Sequence, residues 1–116
     1  MSNYVTVTRG DTVPINLHFK TQAGTDIDIT GWTVFFTVKK KPHDTDDSKA
    51  VIAITQTEHT APTQGLTILT ILPEMSKDLL GDYFYDIQIK RPDGFVKTVI
   101  PMSVINFNID ITRRTS

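Results

Sequence analysis

Apolar side chains recur at every second residue through most of this chain, and that period of two limits what it can fold into. The clearest run lies near the end, where Ile105, Phe107, Ile109 and Ile111 alternate with Asn106, Asn108 and Asp110. Successive side chains of a strand point to opposite faces, so such a run offers one face to a core and one to water. Val13, Ile15, Leu17 and Phe19 repeat the pattern, as do Trp32, Val34, Phe36 and Val38, and again Tyr83, Tyr85, Ile87 and Ile89. Val5 and Val7 form a shorter version. Pro14 marks the second run as an edge strand, because proline has no N–H to give to a neighbour. Thr, Ile and Val dominate the runs, and branching at Cβ restricts a helix while fitting a pleated surface.

Turn and loop signals divide these runs. Gln22-Ala23-Gly24-Thr25 makes one turn, and Arg91-Pro92-Asp93-Gly94 has proline and glycine where a type I turn prefers them. That turn joins the strand over 83–90 to a return strand over 95–100, with a separate last strand over 105–111. Residues 51–57 read as a modest strand, and 66–72 as a strand apolar on both faces. The polar stretches 43–49 and 58–65 read as loops. Residues 73–80 are the helical candidate, about two turns long: Pro73 suits a first position, Met75 and Leu79 share a face, and Gly81 supplies a left-handed stop.

About seven strands at this spacing predict two packed antiparallel sheets in one domain over residues 1–116, an immunoglobulin-like β-sandwich with one short connecting helix. A chain of 116 residues can bury enough surface to fold on one core without staples, and it has no cysteine to make them. Gly81-Asp82-Tyr83-Phe84-Tyr85 opens a strand just after the helical connector, where sandwich domains place a tyrosine corner. Tyr83 would supply the corner hydroxyl, Tyr85 would stand where antibody domains have their second cysteine, and Trp32 would be the core tryptophan. The expected core is Trp32, Phe36, Tyr85, Ile87, Phe107 and Ile109.

Little in the sequence suggests catalysis. The net charge of −1 argues against a general nucleic-acid binder. No apolar stretch is long enough to span a bilayer, and Met1-Ser2-Asn3-Tyr4 lacks the regions of a signal peptide. Phosphate loops, nucleophile elbows and zinc-protease helices are missing, so we expect no enzyme and no cofactor. His18, His43 and His59 are dispersed and read as solvated. Asp44, Asp46 and Asp47 beside His43 resemble part of a calcium loop, but without its glycine and distal glutamate they read as a solvated loop with no metal. Arg9-Gly10-Asp11 spells an adhesion tripeptide, though a bend at Gly10 explains it more simply. Lys39-Lys40-Lys41 reads as a solvated strand end. Phe35 and Phe84 fall on the polar sides of their strands. With Leu69 and Ile71 of the two-faced strand they are the candidate interface, unless the helix or a loop covers them.

Several of these motifs occur together in a familiar order. Thr8-Arg9-Gly10-Asp11-Thr12 is followed by Asp28-Ile29-Thr30-Gly31-Trp32-Thr33-Val34, then Gly81-Asp82-Tyr83-Phe84-Tyr85-Asp86-Ile87, then Gly94 with Lys97-Thr98, then Asp110-Ile111-Thr112-Arg113. The series resembles small immunoglobulin-like domains of tailed bacteriophages and prophages, including the N-terminal domain of baseplate upper proteins. Ile29 and Ile111 depart conservatively from that pattern, which has leucine and valine there. Baseplate upper proteins continue into further domains beyond the stretch this sequence covers. The resemblance implies a virion structural protein made in the bacterial host cytoplasm. Its partners would be other virion proteins and further copies of itself, with neither nucleic acid nor membrane involved. It carries over no catalytic residue. The alternative on the same fold is a carbohydrate-binding or adhesion module.

Overall fold

The computed structural model describes residues 4–41 and 50–109. Among them the chain forms an all-β domain of seven strands in two sheets, with one short α-helix and a 3-10 turn at Pro62–Gln64. The strands are β1 (Tyr4–Thr8), β2 (Val13–His18), β3 (Thr33–Lys39), β4 (Ala50–Gln56), β5 (Leu66–Ile71), β6 (Gly81–Lys90) and β7 (Val96–Asn108). The larger sheet runs β1-β7-β6-β3-β4, and β2 pairs only with β5. Inward-facing side chains of both sheets meet in one core. Val34, Phe36, Val38, Ile87, Ile89, Ile105 and Phe107 come from the large sheet, Leu69 and Ile71 from the small one. Val13, Ile15 and Leu17 pack against them from β2, so the alternation seen in the sequence sets the register of each strand.

Some expectations need correction. The sheets are not wholly antiparallel, because β1 runs parallel to β7, pairing Tyr4 with Val104 through Thr8 with Asn108. The return strand and the last strand are one continuous β7, which stays paired to β6 across two irregularities around Ile87. Extra residues there absorb what the sequence reading took for a break. The helix, α1 (Pro73–Ser76), is a single turn. Ile109 is 64% exposed, whereas Phe107 is fully buried. Pairing with β6 ends at Phe107 and with β1 at Asn108, so among the described residues no neighbouring strand shelters Ile109. Leu69 and Ile71 are completely buried, so they are core and not interface; Ile68 and Leu72 are the exposed apolar residues of that region. Asp110, Ile111 and the loop containing His43, Asp44, Asp46 and Asp47 lie outside the described residues.

Specific bonds and one close backbone approach fix several of the described connections. Gly10 has a φ of 81°, and its N–H donates to the Ser76 hydroxyl at 2.9 Å, tying the Arg9-Gly10-Asp11 bend to α1. Asp28 Oδ1 accepts from the Thr30 amide at 2.9 Å and from the Thr30 hydroxyl at 2.6 Å. Those bonds hold the Asp28 carboxyl below its ordinary value, the hydroxyl contributing most. The turn they make drives Ile29, fully buried, into the core. At Gly65 the backbone leaves no room for a side chain. The residue is buried with a φ of 74°, and a Cβ there would lie 2.5 Å from the Phe19 carbonyl oxygen and 2.7 Å from that of Ile27.

Candidate interaction surfaces

Two surfaces merit description, the outer face of the large sheet and a cleft between the sheets. On the first, Phe35 pairs with Gln88 and Phe84 with Lys39, so β3 and β6 carry the two phenylalanines on one face, with the Thr37–Asp86 pair between them. Both rings are half-buried. Thr55 flanks Phe35 from β4, and Val104 flanks Phe84 from β7. Met102 and Val51 add apolar surface at 53% and 38% exposure. Polar bonds stud the same face, with Gln88 Nε2 donating to Thr98 Oγ1 at 3.3 Å and Asn106 Nδ2 to Asp82 Oδ1 at 2.7 Å. Phe35 and Phe84 thus share one face of the large sheet.

The other expected residues divide. Gly81 opens β6 with a φ of 91°. Tyr83 and Tyr85 are buried. Tyr83 meets Phe107 edge-on at 5.6 Å, and the Lys40 ammonium lies 4.5 Å from its ring centre. A cation over a ring face explains Lys40 better than simple solvation. Tyr85 packs on Phe36 at 5.7 Å, and burial raises its phenol pKa against a smaller opposing effect of its bond with Ser103. Trp32 is half-buried at the rim of the core, edge-on to Phe19 at 5.6 Å. His59 is not a solvated loop residue. Its Nε2 bonds the Trp32 carbonyl at 2.8 Å and its Nδ1 the buried Thr67 hydroxyl at 2.9 Å, so it ties the 58–65 loop to β5 and to the residue that leads into β3. Isolated in sequence from both partners, it gave no sign of this.

Sequence reading missed the cleft altogether. It has a volume of about 620 Å³ and opens between the end of β2 and the first half of β7. Leu17, Phe19, Ile27, Trp32, Ile89 and Ile100 form its apolar wall, and Lys20, Arg91 and Lys97 its cationic rim. It exists because the two-stranded sheet is too narrow to cover the five-stranded one. Arg91 stacks over Phe95 at 4.1 Å and bonds Asp93 at 3.3 Å. Its Nε is buried without a partner among the described residues. His18 at the rim is paired with Asp26 at 2.8 Å. Among the described residues no group of three His, Asp or Glu side chains is placed to hold a metal, and no helix is long and apolar enough to cross a membrane. No family model, curated protein or solved structure matches the chain.

Proposed function

We propose that this chain is an immunoglobulin-like structural module of a phage or prophage particle, working by protein–protein assembly. Strand order supports the fold half of that reading. With β2 and β5 as strands B and E, the order β7-β6-β3-β4 corresponds to G-F-C-C′, as in variable-type immunoglobulin sheets. The ordered motifs from Thr8 to Arg113 support the particle half. The observation that carries the assembly role is Phe35 and Phe84 on a single outer sheet face, beside Val104, Met102 and Val51. Aromatic anchors dominate many interfaces, and a free monomer gains little from holding two of them on a solvent face. The carbohydrate-binding alternative asks for a row of open aromatic platforms. Half-buried rings parted by the Thr37–Asp86 pair suit a packed protein contact better.

The test is sedimentation of the native chain beside the F35S/F84S double variant, with a melting curve for each. Concentration-dependent association that the variant loses, with its fold retained, is the expected result. If the variant unfolds, the rings belong to the fold. If the native chain associates and the variant does so equally, the contact face is elsewhere.

A further inference from the structure

The cleft lies between two lengths of unpaired sheet edge. β1 pairs with residues 104–108 of β7, so, among the described residues, 96–103 have β6 on one side and no strand on the other. Across the cleft, among the described residues, β2 pairs with β5 alone. The Phe19 amide bonds the Gly65 carbonyl on the β5 side at 2.8 Å. Alternation along an antiparallel ladder then turns the backbone groups of Asn16 and His18 to the open side. Phe95, Val96 and Met102, at 47%, 53% and 53% exposure, crowd the unpaired part of β7 and the turn before it.

Charge narrows what can enter. Lys97 pairs with Ile89, which is buried, so its register puts an ammonium on the core face of the large sheet at the place the small sheet leaves open. Lys20 and Arg91 line the same cleft, and none of its lining residues is acidic. Asp26 and Asp93 are engaged by His18 and Arg91, two residues that line the cleft. Inward-pointing lysines and edge prolines such as Pro14 and Pro101 discourage indiscriminate strand pairing. A second copy docking edge to edge would bring lysine to lysine. An acidic strand would meet complementary charge and give the buried Arg91 Nε an acceptor.

We propose that this cleft takes an extended acidic segment of a partner protein, which adds as a strand along residues 96–103 of β7 and turns alternate apolar side chains toward Trp32, Phe19 and Ile100. Strand addition draws affinity from main-chain bonds and selectivity from the side chains that alternate along it. Here Lys20, Arg91 and Lys97 select for carboxylates by repelling cationic strands. The inference rests on the assembly reading for its partner class, but it uses a different surface from Phe35 and Phe84.

The probe is an octapeptide alternating isoleucine and glutamate, titrated into the intact chain while following the fluorescence of Trp32, its one tryptophan. Saturable change is expected, together with slowed amide exchange in residues 96–103. The K20E/K97E variant should melt like the native chain and bind the peptide roughly tenfold or more weakly. An octapeptide with lysine in place of glutamate should not bind. Equal binding of the lysine peptide, protection on β4 instead of β7, or no saturable change would each overturn the proposal. Hexanoate binding as tightly as the peptide would overturn it too, by making the cleft a small-carboxylate site. Because F35S/F84S leaves this cleft untouched, peptide failure and loss of the assembly reading remain separate results.

Discussion

Replacing Gly65 with alanine isolates a backbone approach too close to admit a Cβ. Two effects act together. The φ of 74° is left-handed, which an L side chain occupies at a cost of about 1–2 kcal/mol. The added Cβ would also stand 2.5 and 2.7 Å from the carbonyl oxygens of Phe19 and Ile27. Both are backbone atoms, so relief requires moving two chain segments and not a side-chain tip. The bonds in the way are Phe19 N–H to Gly65 at 2.8 Å and Ile27 N–H to Phe19 at 3.0 Å. Losing or stretching them costs about 1 kcal/mol each, for a total of about 3–4 kcal/mol. Gly24 supplies the control, since its φ of 86° is equally left-handed and nothing lies within 4 Å of its Cβ position. G24A should lose only the conformational part, and the stiffening of the unfolded chain is common to both variants. Urea melts should therefore place G65A about 2 kcal/mol below G24A, or about 8 °C in Tm for a domain of this size. Equal losses in the two variants would refute the crowding argument and mean that the 58–65 loop yields to the added methyl.

Other outcomes can be checked on the same melts. F107A should lose about 3–5 kcal/mol, because its ring is fully buried between the sheets against Tyr83, whereas I109S should change stability by less than about 0.5 kcal/mol. Leu69→Ser should destabilise the fold by several kcal/mol and not merely weaken association, as expected for a hydroxyl placed in a sealed core. Tyr85 gives a pH dependence. A raised phenol pKa means that its contribution is intact below the ordinary value of about 10 and is lost as pH climbs through the folded value, since the unfolded chain sheds its proton first. Alkaline melts of Y85F should fall less steeply than those of the native chain.

Strand faces were legible in the sequence where one face is wet and the other dry. The alternation of Val34, Phe36 and Val38, and of Tyr83, Tyr85, Ile87 and Ile89, matches their burial residue by residue. It failed where that contrast is absent. In β5 both faces are apolar, so the pattern could not say that Leu69 and Ile71 point inward and Ile68 outward. At Ile109 the period continues although the neighbouring strand has ended, and periodicity carries no information about neighbours. The continuity of β7 was hidden because its irregularities around Ile87 shift the phase between Lys97 and Ser103. Parallel pairing of β1 with β7 joins opposite ends of the chain and left no local mark.

Long-range placement also explains why one surface was foreseeable and the other was not. Phe35 and Phe84 break the rule of their own strands, and that violation is visible one residue at a time. The cleft breaks no local rule. Lys97 looks like an ordinary polar residue until Ile89 is known to be its partner, because only that pairing turns it to the core face. Arg91 belongs to a well-formed hairpin turn, and its unpartnered Nε depends on how Phe95 and Asp93 fold around it. Lys20 follows β2, far from either in sequence, and joins them only because β2 closes no further over the large sheet. Removing the charges should therefore act on binding and not on folding. If K20E/K97E proved markedly less stable than the native chain, the lysines would be supporting the sheet edge itself, and the open cleft would be a by-product of a narrow second sheet.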